Sequence, residues 1–556
     1  MPSPDNTGFA ASRYEAGTPV RSPYLQAAYD SAVLTIPSLF PSPSDVSTQD
    51  RFRQHLETSW QGLGARGLNN VSSKLLLTLF PPSQPILKYQ ISPNLTQGVG
   101  DDDEQAKVLS EIEAQLAQRE IELSELIEGD AIRPVVHEAL RQLLVAGNVA
   151  LNLPESGKMR YFRLNRYVTR RDAFGTIVEA IIKETLTEDT LPEDIQEFVE
   201  TLDASDKKTN SLGDDDPDGR REAEIDLYTY IKIKPGTSAS TYERWQEVHG
   251  NEIPGTRGTY PADAPEYIFL RMTRVDGEDY GRGMVEENIG DLISYTGLQR
   301  AIIEASAAAS DIKWLVDPNG ETNLRHLKDA PSGEFVAGRR KDVEALTLDK
   351  FADLRTAGTT RDDLRTSLSF VFLLNSAVRR QGERVTAEEI REVARELEDS
   401  FGGIYTILSQ DFQLPVVMRR ERLAEKANVL KPLPKLPNGK PIVRPVIITG
   451  LASIGRSHDL DKLRTFLQES QILFQIDPQT GRYFHTDEAL RRIGTAIAIP
   501  LKGLVKSREE VEAEIAEEQQ TAQRQQMLAA ATPNAVTQAG QLMQGAQVAP
   551  GPAPEQ

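Results

Sequence analysis

Two long helical segments separated by a compact insert constrain the fold of this 556-residue chain more than any other feature. Residues 284–313 predict one long helix with a break near Gly297, which would span roughly 45 Å at about 1.5 Å per residue. A second helix is predicted over 359–375. Between the two helices, the segments WLVDPNG and GEFVAGRRKD are typical of short strands and turns. Two helices joined by a small insert predict a stalk with a knob at its end.

The second half of the first long helix is a run of small residues. Small side chains let a neighbouring helix approach closely, so this run predicts a helix-packing face. It consists of Ala305, Ser306, Ala307, Ala308 and Ala309.

A capping box follows the second long helix. The hydroxyl of Thr386 would accept from a free N–H of a first helical turn, and Glu389 would reach back to another. This pattern predicts a loop over 376–385 and a long helix from 387 that ends before Leu414-Pro415. Apolar residues recur along that helix at spacings of three and four: Ile390, Val393, Leu397, Phe401, Ile404 and Leu408.

The first half of the chain mixes helical and strand patterns, which predicts an α+β fold. A helix over 51–80 stops at Phe80-Pro81-Pro82, because proline cannot continue it. Further helices are predicted over 102–128 and over 132–147, where Gly147-Asn148 is a helix stop. Strands are predicted over 149–153, 160–164, 176–184 and 225–234. Residues 1–50 are rich in Pro, Ser and Asp, with short apolar pieces such as TIPSLF.

The C-terminal part predicts further helices after a Pro/Lys-rich stretch at 430–445 and a strand-like RPVIITG segment. Residues 459–475 and 487–497 have helical patterns, and a charged helix begins at 508. Beyond about residue 530 the chain is dominated by Ala, Gln, Gly and Pro, and this composition does not bury enough apolar surface to fold alone.

Composition narrows the classes of function. The chain has 39% hydrophobic residues and no cysteine, which excludes disulfides, thiolate zinc sites and cysteine nucleophiles. No apolar run approaches the roughly 18 residues of a membrane helix, and no signal peptide pattern is present, so an aqueous location and no membrane partner are expected. The net charge of -20 disfavours tight nucleic-acid binding, which depends on cations at phosphates.

No catalytic or metal-binding pattern stands out. The segment Gly62-Leu63-Gly64-Ala65-Arg66-Gly67 matches G-x-G-x-x-G, but it follows a helical pattern instead of a strand, which favours close packing at a helix junction. There is no P-loop, no H-E-x-x-H and no G-x-S-x-G motif, and the six histidines are scattered. We therefore expect no catalytic residue, no metal and no cofactor.

Two basic clusters remain as candidate contact sites. Each either faces phosphates or forms salt bridges with nearby acids: Glu383 and Glu388 for the loop cluster, Asp342 and Glu344 for the insert cluster. The clusters are Arg379, Arg380 and Arg384 in the loop, and Arg339, Arg340 and Lys341 in the insert.

Several colinear segments of the chain resemble the portal, or head-to-tail connector, proteins of short-tailed podophages of the Autographiviridae type. GERVTAEEIR with its preceding loop is the most specific. The matching segments are TIPSLFP (35–41), WQGLGARGLNNVSSKLLLTLFP (60–81), ALRQLLVAGNVALNLPE (139–155), RRDAFG (170–175), GTYPADAPEYIFLRMTRVDGEDYGRG (258–283), LNSAVRRQGERVTAEEIREVARELEDSFGGIYTILSQDFQLP (374–415) and TGLASIGRSHDLDKL (449–463).

The resemblance implies a dodecameric ring around a central DNA channel, with parts called wing, stem, clip and crown. The long helices become the stem, the small α/β insert the clip and the later helices the crown. The implied boundaries are wing 1–283, stem helix 284–313, clip 314–354, stem helix 355–375, channel loop 376–386, returning wing 387–455, helical crown 456–510 and C-terminal extension with flexible tail 511–556.

The same resemblance implies a structural function at one capsid vertex, with assembly in the host cytoplasm. Double-stranded DNA would pass the loop residues Arg379, Arg380, Gln381, Gly382, Glu383 and Arg384. The clip cluster would dock the terminase large subunit during packaging and the tail adaptor afterwards. Scaffold, major capsid protein and internal core proteins are further implied partners. The competing interpretations are another structural virion protein, such as a tail adaptor or tube component, and a nucleotide-dependent DNA translocase, which the missing P-loop disfavours.

Overall fold

The computed structural model divides the chain into two units, 1–453 and 454–556. The residues it describes are 8–40, 56, 59–82, 86–91, 102–155, 158–187, 190–205, 224–234, 241–310, 313–346, 351–374, 397, 403–433, 443–447, 466, 468 and 519–524.

The described part of the first unit alternates helices and strands, which confirms the α+β prediction. The helices are α1 (Phe9–Val33), α2 (Leu63–Leu79), α3 (Asp102–Gly129), α4 (Ile132–Ala146), α5 (Glu193–Ser205), α6 (Met284–Glu287), α7 (Ile289–Ser310), α8 (Leu324–Asp329), α9 (Phe351–Val371), α10 (Gly403–Leu408) and α11 (Leu414–Lys426). The strands are β1 (Leu87–Ile91), β2 (Asn148–Asn152), β3 (Arg160–Phe162), β4 (Tyr167–Arg171), β5 (Ile177–Thr187), β6 (Glu224–Lys234), β7 (Thr241–Val248), β8 (Asn251–Glu252), β9 (Gly258–Pro261), β10 (Tyr267–Arg271), β11 (Lys313–Val316), β12 (Val343–Leu346) and β13 (Val443–Ile447).

Helix α1 was not predicted, because Pro19 and Pro23 lie inside it and proline removes a backbone donor from the helix interior. Contacts distant in sequence hold it instead. The guanidinium of Arg21 is only 3% exposed, and its Nη1 donates to the carbonyls of Asn165 and Tyr167, both at 2.9 Å. Tertiary bonds to the start of β4 therefore offset the local cost of two prolines.

Helices α3 and α4 match their predicted bounds, and α4 ends at Gly147, whose φ of 69° is the left-handed conformation of a glycine stop. Helix α2 ends at Leu79 as predicted, but it begins at Leu63. The prediction that this helix includes residues 59–62 is wrong, because these residues precede the helix and are not helical.

Four antiparallel sheets organise the described strands. The largest runs in the order β4-β5-β6-β7-β8, with β9 also pairing with β7, and a second has the order β10-β2-β3. Helix α5 packs on the large sheet through a cluster that includes Ile225 and Leu227, whereas α1 packs through a cluster that includes Tyr230. Because side chains alternate along a strand, the two helices cover opposite faces.

The predicted first stem helix is broken at Asn288 and not at Gly297, and it ends at Ser310. The Asn288 side chain donates to the carbonyl of Met284 at 2.9 Å, the acceptor that its own backbone N–H would use in a continuous helix. Gly297 has open space around it, so nothing there requires a break. The second stem helix, α9, begins and ends four residues earlier than the implied stem helix 355–375. It begins eight residues before the helix predicted over 359–375.

The predicted helix end before Leu414-Pro415 is wrong. Residues Ser409–Gln413 form a π-turn and α11 continues to Lys426. The N–H of Leu414 donates to the carbonyl of Ser409, five residues back. This wider turn places Pro415 in a first-turn position, where its missing N–H costs nothing.

The described residues of the second unit are few. Residues 519–524 are helical, as predicted for the charged helix that begins at 508, and Phe466 and Gln468 are helical within the predicted 459–475 segment. No described helix is both long and apolar enough to cross a membrane.

Candidate functional site: the helical arm and its insert

The insert between the two long helices is a β-hairpin that encloses a short helix. Strands β11 and β12 pair antiparallel with Trp314 opposite Ala345. Helix α8 lies between them, and the Asn323 side chain caps it by accepting from the N–H of Arg325 at 3.1 Å. The predicted knob of strands and turns is thus present.

Asp342 fixes the loop that carries the basic residues of the insert. Its side chain accepts from the N–H and the hydroxyl of Thr322, at 3.1 and 2.7 Å. The same hydroxyl accepts from the N–H of Arg339 at 3.0 Å. The hydrogen bonds from Thr322 lower the pKa of Asp342.

The insert cations Arg339, Arg340 and Lys341 are all exposed. Arg339 pairs with Glu321 at 3.1 Å across two exposed side chains. Among the described residues no ion pair joins these cations to Asp342 or Glu344, although the charge of Arg339 contributes to lowering the pKa of Asp342. Surface ion pairs of this kind contribute little stability, which leaves the cations available to a partner.

An exposed aromatic ring accompanies these cations. Phe335 is 101% exposed, and Leu315 on β11 is 54% exposed. Aromatic side chains together with arginine are enriched in protein interfaces. This surface is chemically suited to binding a protein.

Helices α7 and α9 pack against each other as an antiparallel pair, which forms the shaft of the arm. Leu292 and Tyr295 of α7 are buried at its base. The predicted packing residues lie mostly outside this contact. Ala305 is half-buried, whereas Ser306, Ala307 and Ala308 are exposed, and the side chain of Ala309 lies outside the described residues.

Two large apolar side chains near the base of the arm are also exposed. Ile293 on α7 is 56% exposed and Phe370 on α9 is 66% exposed. The shaft therefore presents apolar and small residues to its surroundings within a single chain.

The C-terminal end of α9 and the two residues after it form the root of the arm. Side chains of α2 that were not predicted from the sequence fix this root. Nδ2 of Asn70 donates to the carbonyls of Phe372 and Leu373 at 3.0 and 2.9 Å. Nζ of Lys74 donates to the carbonyl of Leu373 at 3.1 Å. These bonds satisfy carbonyls at a helix end that have no partner within the helix.

The G-x-G-x-x-G segment forms the other half of this root. A Cβ on Gly67 would stand 2.4 Å from the ring of Phe372, and one on Gly64 would stand 2.4 Å from the carbonyl of Leu34. Residues 59–62, at the start of the segment and just before it, do not form a strand. The interpretation as glycine-dependent close packing is confirmed.

The predicted loop residues 379–384 and the capping pair Thr386 and Glu389 lie outside the described residues. Within the part of the chain that the structure describes, no three acidic or histidine side chains are close enough to hold a metal ion.

An α+β body that carries a two-helix arm, with exposed cations and an exposed aromatic ring at its tip, fits the class of structural assembly subunits. Comparison with known protein families shows to which family of assembly proteins the chain belongs. Residues 8–505 match the family model described as bacteriophage head to tail connecting protein. The chain belongs to this family.

Named relatives agree with that assignment. The chain is 41% identical over 517 residues to the portal protein of Escherichia phage T7, covering 92% of this chain and 90% of the relative. It is 40% identical over 511 residues to the portal protein of Enterobacteria phage T3, covering 91% and 89%. The portal protein of Enterobacteria phage SP6 is 27% identical over 511 residues, covering 91% and 92%. The predicted resemblance to podophage portals is confirmed.

Solved structures resemble the chain only loosely. A chain from the neck of an empty gene transfer agent particle has 10% identity and a TM-score of 0.33, covering 72% of this chain and 86% of that chain. A chain from the virion of a native gene transfer agent particle has 10% identity and a TM-score of 0.32, covering 77% and 89%.

Proposed function

We propose that this chain is the subunit of a portal ring at one capsid vertex, through which viral DNA is packaged and later ejected. The observation that carries the proposal is the arm: two antiparallel helices, α7 and α9, with a strand-helix insert at their tip. A ring needs each copy to present surfaces that a neighbour covers. The exposed small and apolar residues of the shaft supply one such surface.

The parts of the chain take roles along the proposed ring. The α+β body over 1–283 and the returning segment over 387–455 form the wing. Helices α7 and α9 form the stem around the channel, and residues 314–354 form the clip. The crown comprises 456–510, with the C-terminal extension beyond it. Twelve copies are the expected number.

The clip is the proposed docking surface for the terminase large subunit and then for the tail adaptor. Its exposed cations Arg339, Arg340 and Lys341 provide electrostatic attraction, and Phe335 provides an apolar anchor. Scaffold protein, major capsid protein and internal core proteins are further proposed partners. Assembly would take place in the host cytoplasm, and the product would be a virion component.

DNA passage is proposed to depend on weak contacts. The chain has 83 acidic and 63 basic residues, and a wall of the same sign as the phosphate backbone does not hold a duplex tightly. Arg379, Arg380 and Arg384 would grip DNA transiently from the channel loop. Measuring duplex affinity against salt concentration tests this. Strong, steeply salt-dependent binding by the assembled ring would contradict it.

The proposed subunit does no covalent chemistry of its own. The ATP hydrolysis that drives packaging would come from the docked terminase. Purified protein should show no ATPase activity above a buffer control, and measurable hydrolysis that copurifies with the ring would revive the translocase interpretation.

Negative-stain electron microscopy with light-scattering mass on the same sample tests the ring directly. We expect rings with a central hole and a mass near twelve subunits. A monomer that persists after concentration and addition of scaffold protein would overturn the proposal in favour of another structural virion protein.

A further inference from the structure

A cavity of about 290 Å³ lies between two turns of the α+β body. One wall is the turn after β4, residues 172–175, and the other is the segment after β10, residues 274–279. Three arginines line the cavity: Arg171, Arg271 and Arg274. The proposed roles of stem, clip and channel loop do not involve any of them.

Arg271 is the buried cation of this cavity, with only 7% of its surface exposed. Its Nη1 donates to the carbonyl of Glu278 at 2.8 Å. Its Nε and Nη2 have no hydrogen-bond partner among the described residues, and no described carboxylate lies within ion-pair distance. The Nε–Nη2 edge of an arginine is a fork that matches the two oxygens of a carboxylate or phosphate.

Gly175 makes room for this fork. Its φ is 83°, and a Cβ there would stand 2.6 Å from Nη2 of Arg271. The guanidinium therefore lies against a turn that only glycine permits. The carbonyl of Glu278 holds Nη1 of Arg271, whereas the Nε–Nη2 edge has no partner among the described residues.

Arg171 adds a second charge without a counterion. Its guanidinium donates only to neutral carbonyls, those of Asp279, Gly175 and Phe269, at 3.0, 2.8 and 3.0 Å. Burial, followed by repulsion from Arg271, lowers the pKa of Arg171 to about 10. Burial and then repulsion from Arg274 likewise lower the pKa of Arg271.

The carboxylates around the cavity are mostly engaged elsewhere. Oδ1 of Asp172 accepts from the N–H groups of Phe174 and Thr176. Oδ1 of Asp279 accepts from the N–H of Arg171 at 2.6 Å. Glu278 pairs with Arg282 at 2.7 Å. The remaining lining charges are Arg274, which pairs with Asp411, and Asp276, which is exposed at the rim.

Phe174 lies beside the mouth of the cavity, and its ring is 93% exposed. A free inorganic anion gains nothing from an apolar ring. A protein surface does, because burying an exposed aromatic ring is a main source of interface energy. The ring therefore favours a protein ligand over a small ion.

We propose that this cavity binds a carboxylate side chain from a second copy of the chain, held in the Nε–Nη2 fork of Arg271 and covered by the ring of Phe174. The inference rests on the proposed ring and deepens it. Each copy offers many carboxylates, since the chain has 83 acidic residues. The acids around the rim repel the polyanionic backbone of DNA more strongly than they repel a single carboxylate.

The test compares full-length variants by light scattering over a range of protein concentration. Arg271→Gln removes the fork, and Phe174→Ala removes a ring that is 93% exposed, so folding should be unchanged. Each should raise the concentration for half-assembly at least about tenfold, as expected when one partner of a buried charge pair or an interface anchor is lost. Arg133→Gln is the matched control, because Arg133 forms an exposed pair with Glu128 and lies outside the cavity. It should assemble as the wild type does.

The outcomes separate this inference from the ring proposal. Wild-type protein that forms no rings overturns the ring and the inference together. Wild-type rings with unchanged assembly of both Arg271→Gln and Phe174→Ala overturn the inference alone. Titration of inorganic phosphate should dissociate rings of the wild type by competing for the fork. Phosphate binding that depends on Arg271 yet leaves assembly unchanged would mean that a free anion is the ligand, which also overturns it.

Discussion

The side-chain amide of Asn70 donates to the carbonyl of Leu373 at 2.9 Å, across 303 residues of sequence. This bond joins the middle of α2 to the last residues of the arm, where Leu373 takes a φ of 53° and ends the helix. The predicted channel loop begins only three residues later. The last described residues before the predicted loop are therefore held by α2.

We predict that Asn70→Ala destabilises the first unit by about 1–3 kcal/mol, because it leaves the carbonyl of Phe372 without its donor and the carbonyl of Leu373 with only Lys74. Thermal unfolding by circular dichroism measures the loss. Gln26→Ala is the matched control, because Gln26 makes an exposed bond to Asp30 and its loss should cost little. An equal effect of the two variants would contradict the role given to Asn70.

Gly67→Ala should also loosen the root of the arm. The added methyl would stand 2.4 Å from the ring of Phe372, and overpacking of this kind costs about 1–3 kcal/mol. Gly62→Ala, with nothing within 4 Å of the new methyl, should unfold at nearly the wild-type temperature. Comparing the two melting temperatures isolates the clash from the general effect of replacing glycine in this segment.

Arg119 holds a buried cluster between α3 and α11. Its guanidinium donates to Glu421 at 2.7 Å, and both side chains are nearly buried. Arg119→Met should destabilise the protein by about 3–5 kcal/mol, because the carboxylate of Glu421 stays buried without its cation. Chemical denaturation gives the free energy of unfolding. The double variant with Glu421→Met should recover part of the loss, and no recovery would contradict a direct pair.

Glu179 makes stability depend on pH. Burial raises the pKa of its carboxyl, but hydrogen bonds from Arg13 and from Tyr230, the latter at 2.5 Å, outweigh burial and lower the pKa below 4.5. The folded state thus binds this proton less readily than the unfolded state. The stabilisation is complete above pH 4.5 and is lost as pH falls through the lower, folded pKa. Melting temperature measured against pH should fall less steeply in this acidic range for Glu179→Gln than for the wild type.

Charge reversal of the clip should separate docking from assembly. Replacing Arg339, Arg340 and Lys341 by Glu changes only exposed side chains, so folding and ring formation should be unchanged. Affinity for the terminase large subunit should fall at least about tenfold, because the substitutions reverse the charge that the proposed docking surface presents to its partner. Phe335→Ala tests the apolar anchor without changing charge. Binding of both variants at wild-type strength, measured by surface plasmon resonance, would place the docking surface elsewhere.

Sequence alone predicted the elements whose causes are local. Helix α3 was predicted as a charged helix and α4 as an amphipathic one, and Gly147 stops α4 because glycine adopts the left-handed conformation at little cost. The strand-helix insert between two long helices was also predicted, as was the glycine-dependent packing at 62–67. The helices and strands of these segments depend on neighbours within a few positions along the chain, whereas the partners of the glycines, Leu34 and Phe372, are distant in sequence.

The tertiary structure decided the features whose causes lie far apart in sequence. Helix α1 persists through Pro19 and Pro23 because the carbonyls of Asn165 and Tyr167 hold Arg21. Helix α11 begins beside Pro415 because a π-turn precedes it. The root of the arm and the cavity at Arg271 join residues that no periodicity relates. A single sequence encodes local hydrogen bonding directly, but it encodes such long-range pairs only through the packing of the whole fold.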